Sequence, residues 1–295
     1  MPAFPIGAWL STSWSADDIV TVAREAEQAG FASISVADHF IGNTGTEEVG
    51  EGTMFECFAL LAGIATAVPR VRLCSLVAGI TYRHPAILAN IAATIDALSG
   101  GRLVLGVGAG WQLNEHAAYG LALGPVRERI DRLEEGLEVL RGMLTQPSTT
   151  MQGKHYTVTG APRVPAVQSR VPILIGAKGE RRMLRVVAKH ADEWNCPSSP
   201  EIFVHKSAIL EEHCERIGRD PRSIRRSTHP MLSRDPENEC SPDLFTGSAD
   251  RIVDTIGRWR EAGADEVLVP SLFWTADETR AIYARLQSEV FPQLA

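Results

Sequence analysis

The sequence predicts a (β/α)8 barrel, a TIM barrel of the α/β class. Three observations carry this. Short apolar, β-branched runs alternate with amphipathic helical stretches from end to end, and alternation of this kind implies a parallel sheet. Eight such units can be counted, whereas the rival architecture, an open doubly wound sheet, usually has fewer. The 295 residues, 44% hydrophobic and 22% charged, are long for an ordinary domain but normal for one barrel. One barrel domain over 1–295 is expected, with insertions near 41–52 and 150–170.

The units follow in order. PIGAWL (5–10) reads as the first strand. The helix after it has Ser15 as N-cap, Asp17 and Asp18 in its first turn and Gly30 past its end. ASISVAD (32–38) is a buried strand. The polar, Gly-rich IGNTGTEEVGEG (41–52) reads as a mobile loop over a site, and a helix over 55–68 follows it. RVRLCSLVAG (70–79) reads as the third strand. The next helix starts at Pro85 and ends before Gly100. RLVLGVGAG (102–110) is the fourth strand. In RERIDRLEEGLEVLRGML (127–144), Ile130, Leu133, Leu137, Leu140 and Leu144 share one helical face. The stretch 150–170 reads as a hairpin plus an extended segment. VPILIGA (171–177), DEWNCP (192–197), IRRSTHPML (224–232) and ADEVLVPSLF (264–273) complete the strands, each followed by a helical stretch.

Composition excludes several classes. A net charge of −7 gives no reason to expect nucleic acid or an anionic membrane as partner. No apolar run approaches the length of a membrane span, and the N-terminus lacks the basic start of a signal peptide. The five cysteines, odd in number and with no C-x-x-C pair, point to the reducing cytoplasm. No HExxH or 2-His-1-carboxylate spacing occurs, so no metal is expected.

Barrel enzymes place their chemistry on the loops after the strands. Asp38, His39 and Phe40 follow the second strand; His39 reads as a pocket imidazole able to move a proton, or as a surface histidine bonded to backbone. Ser75 to Gly79 and then Arg83 and His84 follow the third; His84 is a lesser pocket candidate. Ala109, Gly110, Trp111, Asn114 and Glu115 follow the fourth. Gly176, Ala177, Lys178 and Gly179, with Arg181 and Arg182 beyond, read as opening a helix after the fifth. That turn is either an anion site at a helix N-terminus or a tight turn with solvated cations. The other six histidines, His229 among them, read as structural or exposed. The run GVGAGWQ (106–112) is neither a dinucleotide fingerprint nor a P-loop: Trp111 and Leu113 stand where a third glycine is required, and no helix follows directly. Glycines alternating along a strand strip one face of side chains, either to bare the backbone to a flat ring or to allow tight packing at the barrel end.

Four stretches together carry a resemblance: SVADHF (35–40), residues 72–120 around RHPAILANIAATIDALSGGRLVLGVGAGW, the helix 127–144, and PILIGAKGERRMLRVVAKHADEWN (172–195). The chain resembles the luciferase-like flavin and deazaflavin oxidoreductases over nearly its whole length, most closely the coenzyme F420-dependent branch; an FMN-dependent member would look similar. The resemblance implies a TIM barrel with an insertion, a homodimer, a small-molecule substrate, and hydride transfer between the deazaflavin and that substrate. An FMN-dependent monooxygenase using O2, or a flavin-binding protein without turnover, are its alternatives. It implies His39 beside the reacting ring, with Asp38, Ala78, Ala109, Gly110 and Asn114 as cofactor contacts. It also implies a bulge with a non-prolyl cis peptide at Ser75–Leu76 and a phosphate turn at Gly176–Gly179. F420-dependent sugar-phosphate dehydrogenases carry a catalytic glutamate at the position of Trp111. A tryptophan cannot move that proton, so the departure argues against sugar-phosphate oxidation. Trp111 is instead expected to wall an apolar pocket with Trp9, Phe40, Trp14 or Trp194.

Overall fold

The computed structural model describes residues 2, 4–162, 164, 170–232 and 241–294. Its strands are β1 (Ile6–Leu10), β2 (Ser33–Val36), β3 (Arg72–Ser75), β4 (Ala78–Gly79), β5 (Leu103–Gly108), β6 (Ser148–Gln152), β7 (Thr157–Pro162), β8 (Ile173–Gly176), β9 (Glu193–Asn195), β10 (Arg225–Thr228) and β11 (Glu266–Pro270). Its helices are α1 (Ala16–Ala29), α2 (Cys57–Ala67), α3 (Pro85–Ser99), α4 (Leu113–Ala118), α5 (Val126–Thr145), α6 (Met183–His190), α7 (Pro200–Glu215), α8 (Ala249–Glu261) and α9 (Ala276–Arg285). Nine strands form one parallel sheet in the order β3-β2-β1-β11-β10-β9-β8-β5-β4, closed by pairing of β3 with β5. Because β3 and β4 share one position, this is an eight-position barrel, and closure rules out the open sheet. β6 and β7 form the separate antiparallel hairpin expected there. The end of that expected insertion, at 163 and 165–169, lies outside the described residues, as does Cys240.

Local signals place the helices. The Ser15 side chain accepts from the Asp18 amide, and Gly30 ends α1 in the left-handed region. Pro85 begins α3, and Gly100 ends it in the same conformation. Ile130, Leu133, Leu137, Leu140 and Leu144 of α5 are all buried. Inside the barrel, Trp9, Cys74, Leu76, Val104, Leu174 and Leu268 pack against one another. Beneath them, Arg72 and Arg225 pair with the buried carboxylates Glu193 and Glu266.

Three expectations need correction. The third strand does not run unbroken from 70 to 79: residues 76–77 bulge out between β3 and β4, as the resemblance implies. The non-prolyl cis peptide is Leu76–Val77, one bond beyond the expected Ser75–Leu76. The Leu76 amide still donates to the Val36 carbonyl at 2.8 Å, so the Ser75–Leu76 unit remains in the ladder with β2 and the irregular bond falls after it. The Gly176–Gly179 turn does not open a helix; α6 starts at Met183, since two glycines in a first turn cost helix propensity.

The glycines of β5 explain why the bulge fits. A Cβ on Gly106 would collide with the Ser75 carbonyl oxygen, and one on Gly108 would lie 2.8 Å from Val77 Cγ2. A Cβ on Gly176 would lie 3.1 Å from both Val77 methyls. The Ser75 hydroxyl donates to the Gly106 carbonyl at 2.9 Å and accepts from its amide at 3.0 Å. Tight packing is therefore what these glycines serve, and the bulge they seat presents Val77 upward. Gly106→Ala should lower unfolding free energy by at least about 3 kcal/mol, since backbone must shift. Gly63→Ala, with nothing within 4 Å of the new methyl, should change it by no more than about 1 kcal/mol, in the stabilising direction. Denaturant melts of the two variants check this.

Candidate active site

A cavity of about 820 Å³ opens at the C-terminal ends of the barrel strands. Of the residues singled out in the sequence, Trp9, Asp38, His39, Leu76, Ala78, Ala109, Gly110, Trp111, Gly176, Ala177 and Lys178 line it. Val77 forms part of its floor. The segment 41–54 contributes Ile41, Asn43 and Met54 to one wall; Gln112 Nε2 and Asn114 Nδ2 donate to the carbonyls of Ile41 and Gly42 at 2.8 and 2.7 Å and tie its start to α4.

The remaining candidates lie elsewhere. Asn114 is fully buried and engaged by that tether. Ser75 sits under the bulge. Phe40 packs between Tyr82 and Tyr119, with ring centroids 5.2 and 4.9 Å away. Gly179 lines a shallow groove beside the cavity with Lys178, Arg181 and Arg182. His84 caps α3 by accepting from the Ala86 amide. Trp14 donates to the Trp274 carbonyl at 2.9 Å, and Trp194 stacks on Phe203 inside the core. Of the aromatics expected to wall the pocket, Trp9 and Trp111 line it and Phe40, Trp14 and Trp194 do not.

His39 is the best-positioned acid–base group. Its Nδ1 lies 2.7 Å from Glu115 Oε1. Glu115 also accepts from the Phe40 amide at 3.0 Å and from the Tyr82 hydroxyl. Burial of Glu115 favours the protonated acid, but the hydrogen bonds from His39, Tyr82 and Phe40 override it and hold the carboxyl below its ordinary value of 4.5. Burial, then the bond to Glu115, pushes the Tyr82 phenol well up, so it stays a donor. An ionised Glu115 can only accept, so Nδ1 of His39 carries a proton and Nε2 is left for the cavity. The Trp111 ring stands edge-on to His39 at 5.5 Å and is 55% exposed, so it shields one side of the imidazole at the mouth.

Asp38 is held by Arg83 through both oxygens, at 2.7 and 3.0 Å, and accepts from the Gly79 amide at 3.2 Å. Burial nonetheless pushes its carboxyl above the ordinary range. On the far side, Lys178 Nζ meets only Met231 Sδ at 3.8 Å, and Arg129 Nη1 donates to the Gly124 carbonyl; neither has a carboxylate partner among the described residues. Arg182, in contrast, is bound to Asp131. Lys206 donates to the Lys178 carbonyl at 2.8 Å and to Glu180 at 2.9 Å, bracing the turn.

This bulged barrel, with an imidazole at its mouth and a lysine that has no carboxylate partner among the described residues, agrees with the comparison of sequences. Residues 3–241 match the family model described as luciferase-like monooxygenase. The chain belongs to this family. It is 30% identical over 230 residues to the F420-dependent glucose-6-phosphate dehydrogenase of Amycolatopsis mediterranei, covering 75% of this chain and 66% of that protein. It thus spans just under two thirds of the length of that relative. In fold it is similar to an F420-dependent secondary alcohol dehydrogenase in complex with an F420-acetone adduct, with a TM-score of 0.83, 20% identity and 99% of both chains covered. It is also similar to monooxygenase RslO1 from Streptomyces bottropensis, with a TM-score of 0.79, 18% identity, and 99% of this chain and 100% of that one covered.

Four side chains at the site were not singled out in the sequence for the places they take. Tyr82 and Glu115 complete the histidine network. Arg129 reaches the cavity from α5. His229 lines it rather than being structural or exposed elsewhere. The sequence signal for His229 was its place directly after a strand: β10 ends at Thr228, whereas the run IRRSTHPML reads as strand through Leu232.

Glu115→Gln should lower kcat by about tenfold or more with little change in KM, because the His39 tautomer is no longer enforced. It should also flatten the acid limb of stability. A carboxyl held below its ordinary value contributes stability that is complete above the unfolded value of 4.5 and is lost as pH falls through the folded one. The stability gap between the parent and Glu115→Gln should therefore be wide at pH 7 and narrow at pH 3, as read by denaturant melts.

Proposed function

We propose that the protein is a coenzyme F420-dependent oxidoreductase that transfers a hydride between the deazaflavin and a small organic substrate. The observation that carries this reading is the His39–Glu115 pair at the wall of a cavity floored by Val77. The F420-dependent enzymes among its relatives support it.

The residues present fit such a cofactor. Seated on glycines, the bulge gives a flush apolar floor for a flat ring. Lys178 and Arg129, both without a carboxylate partner among the described residues, lie to one side where an anionic tail would run. Lys178 would hold the phosphate with its ammonium group. When bound, the deazaflavin supplies the hydride acceptor or donor.

The chain's own residues do the rest. Glu115 orients His39, Nε2 of His39 gives or takes the accompanying proton, and Trp111 and the 41–54 segment limit water at the mouth. Sugar-phosphate oxidation is not the reaction we assign, because Trp111 offers no acid where the sugar-phosphate dehydrogenases are expected to carry one. FMN-dependent monooxygenation is the second reading, favoured by the family description and the RslO1 fold. The F420-dependent relative, matched at higher sequence identity, supports the first reading over it.

Fluorescence titration with F420 and with FMN separates the two: F420 should bind and FMN should not compete. Binding of FMN alone would overturn the assignment. His39→Ala should lower kcat by about 10²–10⁴-fold while leaving F420 affinity within a few-fold, in single-turnover and binding assays.

A further inference from the structure

His39 follows β2 and His229 follows β10, three strand positions further round the ring in the order β2, β1, β11, β10. His229 lines the cavity but takes no part in the proton and hydride steps above. It is only 2% exposed. Its Nδ1 lies 2.7 Å from the Pro230 carbonyl oxygen, and a carbonyl only accepts, so Nδ1 carries a proton. Burial, assisted by the Lys178 charge, outweighs that bond and pushes the pKa of the imidazole down to about 4. At neutral pH the ring is therefore uncharged and Nε2 holds a lone pair. No described residue donates to it.

The neighbouring groups leave that lone pair unmatched. Trp9 stands edge-on to the His229 ring, with centroids 4.8 Å apart, and packs it in place. Asn195, at the end of the adjacent β9, spends its Nδ2 on Ser227 Oγ at 3.1 Å, and its Oδ1 has no donor among the described residues. Asn195 and His229 both line the cavity, so two acceptors stand there without a donor. A buried acceptor left without a donor is costly. Lys178 does not serve them, since its Nζ lies against Met231 Sδ at 3.8 Å. A carboxylate or phosphate brings only further lone pairs, and the cation that would draw it is Lys178.

We propose that His229, with Asn195 beside it, is a recognition site for a neutral hydrogen-bond donor, a hydroxyl or an amide N–H, on a bound ligand. The donor's hydrogen is directed at Nε2 of His229; no proton is transferred and no charge develops there. The site thereby sorts polar groups by kind: an anion is held at Lys178 and a neutral donor at His229. Two sources share this chemistry. One is a polar group of the substrate remote from the carbon that reacts beside His39. The other is the hydroxyl-bearing chain that joins the ring of F420 to its phosphate. The second source rests on the cofactor reading above; the acceptor role of His229 does not.

The test is nitrogen NMR of protein isotopically labelled at histidine, at neutral pH, with the His229 signals assigned by their loss in His229→Gln. The ligands are F420, the same deazaflavin without its phosphate, hexan-1-ol, hexanamide, 1-methoxyhexane and hexanoate, the last four added with and without F420. The free protein should show a neutral His229 ring protonated at Nδ1, and a donor-bearing ligand should move the Nε2 signal upfield. A shift with both deazaflavins assigns the donor to the cofactor's chain. A shift with hexan-1-ol and hexanamide, but not with 1-methoxyhexane or hexanoate, assigns it to the substrate. His229→Leu should weaken binding of the ligand that causes the shift by about tenfold, and His229→Gln, whose amide oxygen accepts, should recover most of that loss. A charged ring in the free protein, no shift with any of the ligands, or an equal shift with hexanoate would overturn the proposal. If hexan-1-ol or hexanamide moves the signal but F420 does not bind, the acceptor stands and the cofactor reading is the part that fails.

Discussion

Everything at the mouth of this barrel depends on Val77 resting where three glycines carry no side chain. Gly106, Gly108 and Gly176 let the bulge between β3 and β4 sink against β5 and β8. Once it is seated, Ala78 and Gly79 rejoin the sheet. The Gly79 amide then meets Asp38, and Asp38 holds Arg83. The neighbouring Tyr82 reaches Glu115, and Glu115 fixes His39. A packing event inside the barrel is thus transmitted, contact by contact, to the His39 imidazole, whose Nε2 is left for the cavity. Methyl-sized changes beneath the bulge act on the site without touching it.

The cavity lining joins two kinds of side chain: Lys178 and Arg129, with no carboxylate partner among the described residues, and the hydrocarbon of Trp9, Leu272 and Phe273. In the proposed reading the cations meet the anionic tail of the cofactor. The buried carboxylates, Asp38 and Glu115, contribute no free negative charge to the cavity, since each is matched by donors.

The barrel was legible because each of its signals is local. Ser15, Gly30, Pro85 and Gly100 punctuate helices wherever they stand, and the Ile130–Leu144 face is a matter of spacing alone. What was hidden is what depends on long-range contact. RVRLCSLVAG reads as one strand because a bulge between two apolar halves leaves no polar trace. The glycines of GVGAG were ambiguous for a physical reason: a missing side chain makes room equally well for a ligand or for a neighbouring strand, and only the position of Val77 decides. Glu115 was visible after the fourth strand, but its partner is 76 residues away. Trp14 and Trp194 looked like pocket walls, yet each directs its indole N–H to a core carbonyl.

The most direct measurement is a crystal structure of the protein with oxidised F420 bound. The deazaflavin should lie on the Leu76–Val77 bulge, with Nε2 of His39 turned toward its reacting edge and the phosphate at Lys178. A ring bound outside this cavity, or inside it with its phosphate directed at the Phe273 wall, would contradict the account.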